Sequence, residues 1–280
     1  ELSHVEEDRL VFVAMHAPLG SETRPDAITE NRERLFELLE GRPNLYSVAG
    51  HTHTTNHLYF GEEEGFDGPG TFHHHVLATV SGAWWSGPFD ASGAPIADQS
   101  DGTPNGYHVL EVRGTDLSVR YKGAGLPVDE QMRIVFDVAH HGLRPDATRD
   151  YAMGELMDSR MRSDELAAAS IVVNLFDGGP RSVVEYSVAG GPWQPLERVL
   201  RPDPYMLEVY ARNVETKKSW VEARASTHVF EADLDAELPP GTHRVSVRAT
   251  DEFGVTHHAH TVLEITAGWE GSREGLRYPD

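Results

Sequence analysis

Two apolar runs of strand length, each stopping at a histidine, constrain this chain more than any other feature. The first is Leu10-Val11-Phe12-Val13-Ala14-Met15, ending at His16-Ala17-Pro18. The second is Leu45 to Ala49, ending at Gly50-His51-Thr52-His53. Both read as continuous buried strands, as in a sheet covered on both faces. Between them Pro18, Gly20 and Pro25 mark a loop. Thr29 to Glu40 then reads as a helix, with Thr29 as N-cap and Ile28, Leu35 and Leu38/Leu39 on one face; Gly41 and Pro43 stop it. Residues 10–49 are therefore a β-α-β unit, whose strands run parallel, directly paired or with a strand between, so that both terminal histidines can sit on one sheet edge. Polar chemistry in mixed α/β folds sits at that edge. His51 and His53, two apart, point the same way in extended backbone, and Gly50 allows a close turn. Imidazole is the commonest metal ligand near neutral pH, so His16, His51 and His53 are the candidate ligands.

Composition narrows the chemistry. The 280 residues contain no cysteine, which excludes disulfides, thiolate zinc sites and cysteine nucleophiles; a metal must be held by His, Asp, Glu or Asn. A formal net charge of −21 repels nucleic-acid phosphate and anionic membrane surfaces, so neither is an expected partner. No run approaches the roughly 20 apolar residues of a membrane helix. The chain opens at Glu1 without methionine, so the lack of a visible signal peptide carries no inference.

Beyond His53 the pattern turns to β. Residues 61–70 form a polar, glycine-rich loop, 72–81 a strand closed by Gly82-Ala83-Trp84-Trp85-Ser86-Gly87, and 107–112 with 117–121 a hairpin. We divide the chain into a first domain over 1–135, a linker with a short helix over 136–168, a β-sandwich over 169–266 and a loose tail over 267–280. The sandwich strands fall at 170–176, 183–188, 206–211, 227–233, 243–250 and 255–265, a spacing expected of an immunoglobulin-like fold. The expected fold class is thus α/β to mixed β, followed by an all-β sandwich.

A histidine pair of the form His-x-His serves several hydrolase classes. A metallo-β-lactamase-type site needs Asp and His where Thr55 and Asn56 stand, and an amidohydrolase barrel needs further β-α units that this chain lacks. Gly50-His51-Thr52-His53, preceded by a strand ending in His16-Ala17-Pro18, resembles the last two metal-ligand blocks of calcineurin-like metallophosphoesterases. Phe72-His73-His74, Gly82-Ala83-Trp84-Trp85, Asp101-Gly102-Thr103-Pro104-Asn105-Gly106-Tyr107 and Tyr121-Lys122-Gly123 look like a bacterial subgroup carrying an extra C-terminal domain. Val173 to Pro180, Leu238 to His243 and Ala249-Thr250-Asp251 resemble that domain itself.

The resemblance implies a dinuclear site of two divalent or trivalent transition metals (Mn, Fe or Zn), with His16 and His51 on one ion and His53 on the other. It implies a small phosphate-ester substrate, hydrolysed by a metal-activated water, with specificity set by loops 54–71 and 87–106. The family's upstream blocks (Asp-x-His, Gly-Asp and Gly-Asn-His) do not occur before His16. The chain is therefore expected to be the C-terminal part of a longer enzyme, binding metal weakly and turning over little by itself. An exported location is the expectation that goes with this resemblance. The competing function is a non-catalytic protein whose sandwich engages a glycan, a cell-surface component or a protein.

The other histidines read as packing or solvent groups. His73-His74-His75 alternate across a strand, and His140-His141 and His257-His258-His260 are taken as solvated. Trp84-Trp85 either wall a substrate pocket or cover a domain interface. Asn174 lies in the distant sandwich, and Glu62-Glu63-Glu64 is read as a charged loop.

Overall fold

The computed structural model describes residues 2–89, 93–137, 159–235 and 237–267. It is mostly strand. Val11–Ala14 (β1) and Leu45–Ala49 (β2) pair directly and in parallel, Phe12 opposite Tyr46. Asn56–Phe60 (β3) and Phe72–Val76 (β4) complete a four-stranded sheet of order β1-β2-β4-β3. The first strand lies at its edge, so its burial alternates and Phe12 is 44% exposed, against the expectation of a strand covered on both faces.

The helix α1 spans Arg32–Leu39. Asn31, in the left-handed region, takes the N-cap position without a side-chain cap bond. Thr29, the expected cap, instead donates its hydroxyl to the Ala17 carbonyl at 2.8 Å, fixing the loop after β1. Phe36 and Leu39 are the helix residues buried, against Phe60, Phe66 and Phe72, with Phe36 edge-on to two of those rings. Leu38 faces out. The aromatic cluster, rather than an aliphatic stripe, anchors the helix to the sheet.

Gly106–Arg113 (β5) and Asp116–Gly123 (β6) form the expected hairpin. The remaining strands build one eight-stranded sheet: Met132–Asp137 (β7), Arg160–Arg162 (β8), Ser170–Leu175 (β9), Val183–Val188 (β10), Gln194–Pro202 (β11), Ala225–Asp233 (β12), Gly241–Thr250 (β13) and Thr256–Thr266 (β14). Its order is β7-β9-β12-β11-β10-β13-β14-β8. The sheet curls around one apolar core containing Phe136, Ile171, Val173, Val245, Val247 and Leu263. β11 carries the continuity: Gln194 to Leu196 pair with β10, Glu197 to Pro202 with β12, and the register slips between Val199 and Arg201.

The boundary drawn at 135 falls inside β7, which is hydrogen-bonded to β9 through Met132↔Leu175 and Phe136↔Ile171. Residues 138–158 of the expected linker, with His140-His141, lie outside the described residues, as do 268–280 of the tail. Of the part that is described, Arg160–Arg162 is a strand parallel to β14, and Leu166–Ala168 is a single 3-10 helical turn. The strand expected at 206–211 is also a helix, Pro204–Arg212 (α2). Asp203 caps it, accepting from the Tyr205 amide at 2.9 Å, and Pro204 at the first turn has no amide to leave unpaired.

Candidate metal centre

The parallel ladder of β1 and β2 continues one step past both strands. Met15 N–H donates to the Val48 carbonyl and Gly50 N–H to the His16 carbonyl, each at 3.0 Å. That step sets His16 beside His51, with ring centroids 4.8 Å apart and Nε2 of His16 2.9 Å from Nδ1 of His51. Both rings belong to exposed residues at the sheet edge.

The turn itself differs from the expected extended segment. His51 and His53 both adopt left-handed backbone, φ 71° and 54°, a region that side-chain-bearing residues enter at a cost of about 1 kcal/mol or more. Gly50 does not; a Cβ there would meet nothing within 4 Å. The turn's strain is therefore carried by the histidines, and they do not point the same way. His53 turns toward the loop after β4, where its Nδ1 donates to the Gly82 carbonyl and its ring stacks on Trp84 at 4.4 Å. That bond fixes the tautomer and leaves Nε2 with its lone pair free. The three imidazoles do not gather within 4.8 Å of one another.

Around them lies a cavity of about 210 Å³. His51, Thr52 and His53 form one side and Trp84 a second, while Arg24 and Arg224 supply guanidinium groups. Trp220 and Arg224 come from the stretch between α2 and β12, so the C-terminal sheet's own insertion closes the cavity. α2 reaches the same place from behind: its Met206 and Tyr210, with Val221 from the stretch that follows it, pack on Ala83. Trp84 and Trp220 are 63% and 58% exposed, which a buried domain interface would not leave.

The floor of this region is fastened by a buried polar network. Asp101, fully buried, accepts from the Thr55 amide at 2.6 Å and the Thr103 amide at 3.0 Å, and faces His228 Nε2 at 3.1 Å. His228 Nδ1 meets Asn174 Oδ1 at 2.8 Å, and the Asn174 amide donates to Asp203 at 2.6 Å. Asn174 is thus part of the joint between the two sheets.

A second group of histidines was missed by the sequence reading. His74 and His75 are fully buried, and so is His57. His75 Nε2 lies 2.8 Å from Asp177 Oδ1, His108 Nε2 2.9 Å and His57 Nε2 3.4 Å from the same oxygen. Burial pushes His75 down to about 3, helped by its neighbour His57 and opposed by Asp177. Burial alone would raise Asp177, but the His108 and His75 rings beside it hold it well below the usual carboxylate range. The available signals are the alternation of 73–75, which puts His73 and His75 on one face and His74 on the other, and the acidic residue opening the turn after β9. His257, taken as solvated, also has a carboxylate partner, Asp251, at 2.8 Å.

A β-rich chain with paired histidines at a parallel-strand edge and a polar cavity beside them is compatible with hydrolase chemistry. Residues 74–257 match the family model described as the C terminal of calcineurin-like phosphoesterase, and the chain belongs to that family. The match covers the Trp84 loop, Asp101, Asp177 and the cavity wall at 220–224; it begins after His16, His51 and His53. No individual curated protein matches the chain.

Proposed function

We propose that this protein hydrolyses a phosphate ester at a two-metal site of which His16, His51 and His53 are one part. The observation that carries the reading is the 2.9 Å approach of His16 Nε2 to His51 Nδ1 at the edge of parallel strands, in a member of this family. Two nitrogens bound to one ion at ~2.1 Å lie about 3.0–3.4 Å apart, so the pair is spaced for a shared metal with a small adjustment. His53, with Nδ1 engaged by Gly82 and Nε2 free, is suited to a neighbouring ion. Donors of this kind accept Mn, Fe or Zn. The ions, when bound, polarise the phosphoryl oxygen and lower the pKa of a water nucleophile.

The chain's own residues supply the rest. Arg24 and Arg224 each touch an exposed carboxylate, Asp26 and Glu222, and such pairs hold little energy. Their remaining N–H groups are available to a phosphate anion. Trp84 and Trp220 offer flat apolar faces for the group esterified to it. The curled sheet, in our reading an immunoglobulin-like sandwich, then serves to hold α2 and the 220–224 stretch over the cavity. This role favours the enzyme over the glycan- or protein-binding alternative, because the sheet's insertion faces the histidines.

The test is p-nitrophenyl phosphate hydrolysis and Mn²⁺ titration, run on this chain and on a form extended through its upstream reading frame. His51→Ala is expected to weaken Mn²⁺ binding at least tenfold in both forms and to lower turnover in the extended one. A His51→Ala protein with unchanged metal affinity and turnover removes the assignment.

A further inference from the structure

Four side chains from four separate segments, belonging to three sheets, converge on one buried point. His57 lies on β3, His75 directly opposite it on β4, His108 on the β5–β6 hairpin and Asp177 in the turn after β9. The side chains of all three histidines are fully buried, and that of Asp177 is 10% exposed. Each histidine presents Nε2 to the same carboxylate oxygen, at 3.4, 2.8 and 2.9 Å.

As a hydrogen-bonded group this arrangement is incomplete. One carboxylate oxygen has two lone pairs and cannot satisfy three imidazole donors equally. His57 Nε2 is left buried without a hydrogen-bond partner. An unpaired buried donor costs about 1–3 kcal/mol, and folds seldom carry one without a reason. The far sides of two rings are engaged: His75 Nδ1 with the Tyr46 hydroxyl at 2.7 Å, and His57 Nδ1 with His73 Nε2 at 2.9 Å. Outer partners of this sort orient imidazoles for ligation and set which nitrogen carries the proton.

We propose that His57, His75, His108 and Asp177 form a closed, four-ligand structural site for a borderline divalent ion of the zinc type, which clamps the small sheet and the hairpin to the curled sheet. Three imidazoles and one carboxylate make a tetrahedral donor set with no open position, which suits a structural rather than a catalytic ion. Ligands at ~2.0–2.1 Å from such an ion are about 3.3 Å apart. The carboxylate needs to draw back by roughly half an ångström from His75 and His108 and hardly at all from His57. The ligand atoms of His57, His75 and Asp177 already lie within 4.8 Å of one another, and His108, which reaches the same Asp177 oxygen but falls outside that group, swings inward to become the fourth ligand. A cavity of about 80 Å³ reaches Asp177 from between Gln131 and Asp251. The site is independent of His16, His51 and His53, and its occupancy does not depend on phosphoesterase activity.

The experiment uses the full 280-residue chain, untagged, carrying His16→Ala, His51→Ala and His53→Ala. These residues are exposed or half-buried, so their loss leaves the fold intact. After exposure to Zn²⁺ and desalting, one zinc per chain is expected, with a higher Tm than in EDTA. Co²⁺ in its place is expected to give the strong visible absorption of a tetrahedral site. Adding His108→Gln is expected to remove the bound zinc and the Co²⁺ absorption while far-UV circular dichroism stays unchanged. The proposal is overturned if the triple variant holds no zinc and melts alike in Zn²⁺ and EDTA, or if the His108→Gln chain keeps both ion and spectrum. Loss of phosphatase activity in the same variants bears only on the other histidines.

Discussion

Replacing Asp101 by alanine is expected to cost the fold about 3–5 kcal/mol. The side chain is fully buried and accepts two backbone amides, Thr55 N–H at 2.6 Å and Thr103 N–H at 3.0 Å. It also faces His228 at 3.1 Å. Truncation leaves both amides buried without a partner, at about 1–3 kcal/mol each, and leaves His228 Nε2 with only the Thr103 hydroxyl at 3.2 Å. The loss is not confined to the loop. Through His228 and Asn174 the network continues to Asp203, which caps α2 and accepts from Arg133 at 3.1 Å. Asp101→Asn keeps the shape and one acceptor oxygen, and about half the cost is expected. Urea unfolding of the three proteins measures this directly. A midpoint for Asp101→Ala within error of the parent contradicts the view that this network joins the two sheets. Because Thr55 follows the His51–His53 turn, the same variant is expected to weaken metal binding at the turn.

Acid is expected to destabilise this protein as pH falls below about 6.5, through two buried histidines. Burial pushes His74 down to about 4 and His75 to about 3. His74 has a specific reason to resist a second proton: its Nε2 accepts the Leu19 amide at 3.1 Å while Nδ1 meets the Ser47 hydroxyl at 2.7 Å. Protonating Nε2 would set a donor against a donor. In the unfolded chain both rings titrate near the ordinary histidine value of about 6.5. With the folded values depressed, the unfolded state binds protons first as pH falls, and stability falls with it. Above about pH 6.5 the two histidines contribute no pH dependence. Between about 6.5 and 4 each removes about 1.4 kcal/mol per pH unit, or about 2.7 together. Asp177 is depressed as well, so its stabilisation is present above the unfolded carboxylate value of about 3.9 and is lost as pH falls below it. By pH 4.5 the expected loss is roughly 5 kcal/mol, comparable with the whole stability of many domains. Urea midpoints at pH 7.5, 6 and 5 in EDTA, where no bound ion competes with protons, provide the measurement. A stability flat across that range contradicts the burial of neutral His74 and His75.

The parallel pairing of β1 with β2 was legible because two apolar runs with a helix between them have few ways to pack, and each run's end could be read from its histidine. The conformation beyond that end was not. Gly50 is the permissive residue of the turn, yet the left-handed backbone falls on His51 and His53, where ring contacts to His16, Gly82 and Trp84 outweigh the local preference. The edge position of β1 is not legible because strand order depends on β3 and β4, which add to the sheet on the far side of β2. α2 was misread as a strand from its apolar run, although Asp203-Pro204 ahead of it is a helix-start signal. The buried histidine group was beyond periodicity altogether, since residues 57, 75, 108 and 177 meet only after three sheets have assembled. The histidine tract looked polar, and polar residues are assigned to the surface unless a partner is known.

The central claim is that His16, His51 and His53 hold metal at the edge of the small sheet. Crystals soaked in Mn²⁺ and measured at the manganese absorption edge test it most directly. The account predicts an anomalous peak at bonding distance from His16 Nε2 and His51 Nδ1, with any second ion on the His53 side. Crystals that show no anomalous peak at these histidines, while Mn²⁺ binds elsewhere on the same chain, would contradict it.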